Sequence, residues 1–368
     1  MKIFLAGGGT GGATAPVLAV AESLLQLHPG TKLFLVGNHG VEQKMIEKSK
    51  LPLVYLSIPA GKWRRYFSLM NFIDVFKTLF GFFKSLRLIS EYRPDVVFGA
   101  GSFVQVPLAF AAYLKKVPVV IHQPDFDLLL STRLVAPIAR AITVSFASSE
   151  KDLPEFSGLF KKIEKSKVTV TGNPVRKEIF GGSKDKARKT FGLNRDYPVL
   201  LIIGGSQGSA RLNEVVLAAG PELVKYVQII HITGGKGSKG KIFTHPHYHD
   251  FEYIGTDMRD AYAAADLVLC RGGISTISEL SALGLAAIVA PLPHSPQETN
   301  AELLALTRSA VVVFEEFLTE QLAVNLVRKI LWKQEALETI KDNIKKLLPR
   351  NAERKIAKIL LDINERTQ

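Results

Sequence analysis

The sequence is poor in cysteine, with Cys270 as the only one among its 368 residues. A single cysteine excludes a disulfide framework and a cysteine cluster for zinc. Long apolar runs are missing too: after Lys2 only four apolar residues precede the first glycines, far fewer than a signal-peptide core or a membrane span requires. These absences predict a protein of the reducing cytoplasm that does not cross a membrane.

Acidic residues are outnumbered, since the chain has 34 Asp and Glu against 47 Lys and Arg, which gives a formal net charge of +13. This surplus permits nucleic acid, anionic lipid or an anionic substrate as a partner. The basic residues are spread along the chain and form no known nucleic-acid-reading motif, so we expect no nucleic-acid partner. The length and a hydrophobic content of 47% are typical of an enzyme with two globular domains.

Short apolar runs rich in β-branched residues alternate with helix-sized intervals in both halves of the chain. The runs of the first half span residues 2–6, 32–36, 95–98 and 117–121, and those of the second half span 199–203, 227–232, 267–270 and 287–290. This alternation is typical of an α/β fold with doubly wound parallel sheets. From residue 319 onward the pattern predicts consecutive helices interrupted at Pro349.

A glycine-rich loop follows the first strand of each half. Residues 7–12 read GGGTGG, and residues 204–208 read GGSQG. Glycine lets a strand turn sharply into a helix while backbone N–H groups point at an anion, so each loop suits a phosphate or a diphosphate. The first loop also matches the dinucleotide fingerprint, but the second strand runs into Gly37, Asn38 and His39 with no acid to hold a ribose.

Six motifs within residues 2–302 occur in the order found in the MurG family of bacterial N-acetylglucosaminyltransferases, which this chain resembles. They are the glycine loop 8–12, Gly99-x-Gly101 with Val104 and Pro107, Gly172-Asn-Pro-Val-Arg176, the loop 204–208 with Asn213, Cys270-Arg-x-Gly273 with Glu279, and Gln297-x-x-Asn300-Ala301. Their shared order is more specific than any single motif. The resemblance implies a GT-B fold, in which two Rossmann-like α/β domains with doubly wound parallel sheets face a cleft.

The resemblance also implies an activity. The family moves N-acetylglucosamine from UDP-N-acetylglucosamine to lipid I, an undecaprenyl-diphosphate-linked muramyl peptide, and so forms lipid II for peptidoglycan synthesis. The reaction inverts the anomeric centre, forms a β-1,4 bond, and requires no cofactor and no metal. We therefore expect a hexosyltransferase that serves cell wall biogenesis, cell shape and cell division.

The resemblance divides the chain into three parts. Residues 1–160 are expected to form an N-terminal domain that binds the acceptor and faces the membrane. Residues 161–348 are expected to form a C-terminal domain that binds the UDP-sugar, and the limit between the two falls at a lysine-rich stretch, 161–167. Residues 349–368 are expected to form a helix that packs back on the N-terminal domain.

The donor site implied by the resemblance lies mainly in the second half. Arg176 would bind the nucleotide, because a guanidinium stays charged and forks onto anionic oxygens, and Ile254 would read uracil through its backbone. The other donor contacts would be Ser206, Gln207 and Gly208 on the diphosphate, Ile274, Ser275, Thr276, Ile277, Ser278 and Glu279 on phosphate and ribose, and Gln297 and Asn300 on the sugar hydroxyls. Carboxylates and amides suit hydroxyl donors. The structural alternative is helix capping at 275–279 and an ordinary helix start near Pro296.

The acceptor diphosphate would be bound by Thr10, Gly11, Gly12, Gly101 and Ser102 of the first half. Two departures from the family pattern leave the general base open: Ala13 replaces the usual His, and residues 122–125 read HQPD where HEQN is usual. Since the attacking hydroxyl needs a proton acceptor, the candidates are Asp125, which would also contact the acceptor, then Asp127 and His122. The alternative for the two aspartates is a solvated turn.

Residues 62–89 read KWRRYFSLMNFIDVFKTLFGFFKSLRLI and predict a helix with a broad apolar face. Its one narrow, weakly polar stripe consists of Asn71, Asp74, Thr78, Gly81 and Ser85. Such a helix, basic at its start, suits the headgroup region of an anionic membrane and is too interrupted to span one. This interpretation places the protein peripherally on the cytoplasmic face of the cell membrane. The alternative is a core helix of the first domain.

Two other functions stay open. One is a related GT-B glycosyltransferase with another lipid-linked acceptor, because the donor motifs are shared more widely than the acceptor details. The other is a non-catalytic descendant that only binds UDP-sugar, which Ala13 and Gln123 would allow.

Overall fold

The computed structural model describes residues 1–9, 11–61, 70–147, 164–205, 208–235 and 243–365. The chain forms two compact units. The first unit comprises Met1–Arg176 and Pro349–Gln368, and the second comprises Lys177–Leu348. Each unit has a parallel β-sheet of its own.

The sheet of the first unit has seven parallel strands within the described residues. They are β1 (Lys2–Ala6), β2 (Lys32–Gly37), β3 (Leu53–Ser57), β4 (Val96–Gly99), β5 (Val119–Gln123), β6 (Ala141–Val144) and β7 (Val168–Val170). Their order is β3-β2-β1-β4-β5-β6-β7, so the direction of winding changes between β1 and β4. Connections through helices on both faces produce such an order.

Helices α1 (Gly11–Leu27), α2 (Val41–Ser49), α3 (Met70–Tyr92), α4 (Gln105–Leu114) and α5 (Leu130–Val135) follow the first five strands in turn. Alternate strand residues point to opposite faces of the sheet. Phe4 accordingly belongs to one apolar cluster, and Ile3 and Leu5 belong to another. The sheet is therefore buried on both sides, which explains its nearly continuous apolar strands.

The second unit repeats this plan with six parallel strands in its described part. They are β8 (Val199–Ile203), β9 (Gln228–Ile232), β10 (Tyr248–Phe251), β11 (Leu267–Cys270), β12 (Ala287–Val289) and β13 (Val311–Val312), in the order β10-β9-β8-β11-β12-β13. The helices are α6 (Lys184–Phe191), α7 (Ala210–Leu223), α8 (Met258–Ala264), α9 (Ile274–Leu283), α10 (Pro296–Leu306), α11 (Glu320–Leu331) and α12 (Gln334–Leu347). Here the winding changes direction between β8 and β11.

The first unit extends past the limit predicted at residue 160. Strand β7 pairs with β6, with Val168 opposite Ile142, so the chain leaves this unit only after Arg176. It returns at Pro349 and forms helix α13 (Ala352–Glu365), which packs against α1. A lysine-rich stretch is a weak marker of a domain limit, because a short strand that follows it can still complete the earlier sheet.

Helix α3 presents its apolar side away from the protein. The small and polar stripe faces inward: Asp74, Gly81 and Ser85 are buried, and a Cβ on Gly81 would overlap the carbonyl oxygen of Pro59. The exposed apolar face of α3 consists of Met70, Phe72, Ile73, Val75, Phe76, Leu79, Phe80 and Phe83. Residues 62–69, the predicted start of this helix, lie outside the described residues. In the part of the chain that the structure describes, no helix is long and apolar enough to cross a membrane.

Candidate active site

The two points where the winding changes direction place the glycine loops beside their partner motifs. In the second unit Ile203 of β8 lies opposite Cys270 of β11, so the loop 204–209 is adjacent to the loop 271–273. In the first unit Ala6 of β1 lies opposite Gly99 of β4. Ligands of open α/β sheets bind at the carboxyl ends of the strands at such switch points.

The loop after β8 is a tight turn into helix α7. Gly205 and Gly208 have φ values of +87° and +71°, which residues with a Cβ disfavour. Ser209 caps the helix, its Oγ accepting a hydrogen bond of 3.2 Å from the backbone N–H of Leu212. Ser206 and Gln207, two of the predicted diphosphate contacts, lie outside the described residues. The described part has the strand–turn–helix geometry that binds phosphate.

Arg271 holds the loops around this turn together. Its guanidinium donates to the Ser209 hydroxyl and to the carbonyl oxygens of Ala290 at 3.1 Å and Pro291 at 3.2 Å, and it pairs with Glu315. The sequence motif contains Arg271 without indicating this role. Its position directly after the fully buried strand β11 could have indicated this role, because a buried charged side chain needs hydrogen-bond or ionic partners.

Helix α9 starts directly after Gly273, at the edge of the same switch point. The first backbone N–H groups of a helix have no partner within it and favour an anion. Ser275 and Thr276 are partly exposed, whereas the side chains of Ile274, Ile277 and Ser278 are buried. In the first turn of the predicted segment, therefore, Ser275 and Thr276 have side chains accessible to a phosphate, whereas Ile274, Ile277 and Ser278 could contact a ligand only through their backbone.

Glu279 lies one turn further along α9 and is oriented by a buried tyrosine. The hydroxyl of Tyr262 donates to Glu279 Oε2 at 2.7 Å. Tyr262 is 2% exposed and Glu279 9%. A charge-assisted hydrogen bond of this length restrains the orientation of the carboxylate.

The two predicted amides of helix α10 belong to residues that lie close to Gly272. Asn300 is buried and its Nδ2 donates to the carbonyl oxygen of Gly272 at 3.3 Å. Gln297 Oε1 accepts from the backbone N–H of Leu292 at 3.0 Å. Gln297 is partly exposed, so of these two residues it is the better placed to meet a sugar.

Two further predicted donor residues come from other segments of the chain. Ile254 immediately precedes the short 3-10 turn Gly255–Asp257, downstream of the edge strand β10. Arg176 is the last residue of the first unit before the chain enters the second.

Ser102 links the two loops at the switch point of the first unit. Its hydroxyl donates to the carbonyl oxygen of Gly8 at 3.1 Å and accepts from the N–H of Val104 at 3.1 Å. A Cβ on Gly9 would overlap the ring of Phe103, so glycine is needed where the two loops meet. Gly11 and Gly12 form the start of α1, and Thr10 lies outside the described residues.

His122 is enclosed in the first unit. It is fully buried, with Nδ1 3.0 Å from Thr143 Oγ1 and Nε2 3.0 Å from Asn173 Oδ1. Burial lowers the pKa of the imidazole to about 4. A ring with both nitrogens engaged and no exposed surface serves the structure of the sheet, which corrects its nomination as a catalytic base.

A carboxylate that sequence reasoning missed lies at the end of β2. Glu42 is fully buried and its Oε1 accepts from the backbone N–H groups of Asn38 and Gly40, both at 2.8 Å, and from the Tyr55 hydroxyl at 3.2 Å. Glu42 belongs to the first turn of α2, five residues after the strand, whereas the dinucleotide pattern specifies an acid at the strand end itself. Its contacts organise the turn between β2 and α2.

Comparison with known proteins identifies both units. Residues 3–144 match the glycosyltransferase family 28 N-terminal domain, and residues 199–358 match the family 28 C-terminal domain. The chain is 36% identical over 349 residues to the UDP-N-acetylglucosamine–N-acetylmuramyl-(pentapeptide) pyrophosphoryl-undecaprenol N-acetylglucosamine transferase of Lachnoclostridium phytofermentans, covering 93% of this chain and 94% of that protein. It is 34% identical over 364 residues to the transferase of the same name from Clostridium botulinum, covering 98% of each.

The chain belongs to the MurG family. The crystal structure of Acinetobacter baumannii MurG has the same fold, with a TM-score of 0.73 at 23% identity over 98% of this chain and 99% of that one. A UDP-GlcNAc 2-epimerase from Neisseria meningitidis bound to UDP-GlcNAc is similar at a TM-score of 0.70, with 16% identity over 98% of this chain and all of that one. The GT-B fold expected from the motifs is thus confirmed for both units.

The chain departs from the MurG pattern in the turn that follows β5. Asp125 is partly exposed and Asp127 is exposed, so both candidate bases are accessible. Gln123, at the position where the family usually has Glu, is fully buried beneath them. Across the described ranges, no three His, Cys, Asp or Glu side chains are grouped to hold a metal ion.

Proposed function

We propose that this protein transfers N-acetylglucosamine from UDP-N-acetylglucosamine to lipid I, releasing UDP and lipid II in peptidoglycan synthesis. The observation that carries the proposal is its similarity to transferases of that name, at 34–36% identity over 93% or more of the chain. As an enzyme of peptidoglycan synthesis it would serve cell wall biogenesis, cell shape and cell division.

The donor binds, in this proposal, at the switch point between β8 and β11. The glycine loop 204–208 and the first turn of α9 supply backbone N–H groups for the diphosphate, with Ser275 and Thr276 beside them. The Glu279 carboxylate, oriented by Tyr262, accepts from ribose hydroxyls, and Gln297 contacts the sugar. Ser206, Gln207, Ile254, Asn300 and Arg176 keep the donor roles that the family resemblance gives them.

The acceptor diphosphate binds at the switch point of the first unit. We assign this site to Gly11 and Gly12 at the start of α1 and to Gly101 and Ser102 of the loop after β4, and the resemblance adds Thr10. Ser102 keeps the two loops together through its bond to Gly8.

The transfer is a displacement at the anomeric carbon of N-acetylglucosamine. The 4-hydroxyl oxygen of the muramyl sugar forms the new bond, the bond to the UDP oxygen breaks, and the hydroxyl proton passes to a general base. We assign the base to Asp125 or Asp127, because both are accessible and follow β5, the strand that pairs with β4 of the switch point. D125N and D127N are measured at saturating donor, and loss of the base lowers kcat by about 10²–10⁴-fold. Near-normal turnover in both variants contradicts this assignment.

The exposed apolar face of α3 supports docking on the membrane that contains lipid I. Large apolar patches are rare on monomeric soluble proteins and mark interaction surfaces. Lys77, Lys84 and Arg87 on the same helix are exposed and add attraction to anionic headgroups. We propose peripheral attachment through α3 on the cytoplasmic face of the cell membrane.

The decisive experiment measures transfer of labelled N-acetylglucosamine from UDP-N-acetylglucosamine to a short-chain lipid I analogue. The expected result is a disaccharide product that depends on both substrates. Binding of UDP-N-acetylglucosamine without product would favour a non-catalytic descendant. Product only with another polyprenyl-diphosphate sugar would favour a transferase with a different acceptor. Either result refutes the proposal.

A further inference from the structure

The buried side chain of Gln123 forms hydrogen bonds to the backbone of the turn that follows β5. Its Nε2 donates to the carbonyl oxygens of Asp125 at 2.8 Å and Asp127 at 2.6 Å. Its Oε1 accepts from the backbone N–H of Leu129 at 3.3 Å. Because Gln123 is fully buried, no water competes for these bonds. One side chain, with two donors and one acceptor, therefore defines the path of residues 125–129.

The turn is also joined to the neighbouring loop of the first switch point. The Ser131 hydroxyl donates to the carbonyl oxygen of Gly101 at 2.8 Å. A Cβ on Gly101 would lie only 2.7 Å from Leu129 Cδ1, so the two loops are in close contact. Phe126, between the two aspartates, packs edge-on against Phe146 with ring centroids 5.8 Å apart. The backbone that Gln123 holds is thus the wall of the acceptor switch point.

Only an amide can form this set of bonds at neutral pH. A glutamate at the same position, as is usual in the family, would direct a carboxylate without a proton at two carbonyl oxygens. In a buried site such a group is left uncompensated, which is strongly unfavourable. This chain therefore holds the turn by a contact that a glutamate could not form.

We propose that Gln123 is a positioning residue for the acceptor, which holds Asp125 and Asp127 in place through their backbone carbonyls. The inference rests on the proposed function, since it takes this turn to be part of the lipid I site. The amide of Gln123 does not ionise, unlike the carboxyl that is usual at this position in the family. In this chain, therefore, the aspartates that Gln123 positions would accept the proton.

The test compares Q123L and Q123E with wild type in transfer assays between about pH 5.5 and pH 8. Q123L loses both donors at every pH, so we expect the acceptor KM to rise about tenfold at all pH values, with the donor KM unchanged. Q123E should lose more at neutral pH. Relative to wild type it should recover as the pH falls, because burial favours the protonated carboxyl and protonation restores one donor.

Gln228 offers a matched control in the second unit. It is also buried, its Nε2 donates to the carbonyl oxygens of Asn194 at 2.6 Å and Tyr197 at 2.8 Å, and its Oε1 accepts from the N–H of Asn194 at 2.8 Å. It lies at the amino end of β9, the sheet edge opposite the switch point. Q228L and Q228E repeat the chemical change and should lower thermal stability while leaving the acceptor KM within about twofold.

Two kinetic outcomes overturn the inference: an acceptor KM that is unchanged in both Gln123 variants, or one that rises equally in the Gln228 variants. Hydrogen exchange of the backbone amides 125–129 gives a readout that does not need transfer. Faster exchange in Q123L than in wild type is expected, and equal exchange refutes the positioning role. Should Q123E fail to fold at neutral pH, Q123L and the exchange measurement decide. A wild-type protein that transfers nothing refutes the proposed function instead, so the two failures are distinguishable.

Discussion

The exposed apolar face of α3 makes a quantitative prediction about membrane binding. The side chains of Phe76 and Phe80 are 62% and 66% exposed, so the fold gains little from them. Full burial of a phenylalanine side chain contributes about 1.5–3 kcal/mol, and the exposed part of each would gain about 1–2 kcal/mol on entering a bilayer. The double substitution F76S/F80S should therefore weaken partitioning by about 2–4 kcal/mol, or roughly 30- to 1000-fold.

Flotation with vesicles of phosphatidylglycerol and phosphatidylcholine measures this partitioning. The matched control is L306S/F317S in the second unit, where the two side chains are 83% and 63% exposed and lie outside α3. Both double variants should unfold at the temperature of the wild type, since exposed apolar side chains add little to stability. Equal loss of binding in the two variants, or unchanged binding of F76S/F80S, would refute the assignment of α3 as the docking surface.

Other predictions concern the donor site, the packing of α3 on the first unit and the pH dependence of stability. Y262F should raise the donor KM about tenfold, because Glu279 loses the charge-assisted hydrogen bond that orients it; an unchanged KM for UDP-N-acetylglucosamine contradicts this. G81V should lower the thermal unfolding temperature, because its side chain would overlap Pro59, by an amount equivalent to about 1–3 kcal/mol; an unaltered midpoint contradicts the packing. Since the folded-state pKa of His122 is about 4, below its unfolded value near 6.5, its contribution to stability is complete above about pH 6.5 and falls as the pH drops toward 4. H122N should flatten that part of the stability–pH curve, and an unchanged slope would show that another group causes it.

Strands and glycine loops follow closely from the sequence, because a buried parallel strand is a continuous apolar run with few alternatives. Residues 199–203 and 267–270 form β8 and β11 as predicted. The orientation of α3 was not determined by its pattern, which predicts a polar stripe but not which side packs on the protein. Gly81 and its small neighbours allow a close backbone contact that hydropathy does not express.

The candidate site shows a similar division. Motif order brings the loop 204–208 to the segment 271–279, as the sheet order requires. The burial of an individual side chain cannot be predicted from its residue type: His122 is fully buried with both ring nitrogens in contact with polar partners, although imidazole is a common catalytic group. Glu42 was missed because it is five residues past the end of β2 in the sequence, and only the first turn of α2 places its side chain back at that strand end.

The return of the chain to the first unit at Pro349 makes the second unit an insertion within the first. The backbone at Gly172 lies directly against the carbonyl of Pro349, so the outgoing and returning segments are neighbours. During synthesis, the second unit has all its residues before the first receives α13, whose buried residues complete the apolar cluster around Ile3 and Leu5. The unit that is translated first is therefore the one that finishes folding last. Truncation near the C-terminus should accordingly damage the N-terminal sheet and spare the second unit.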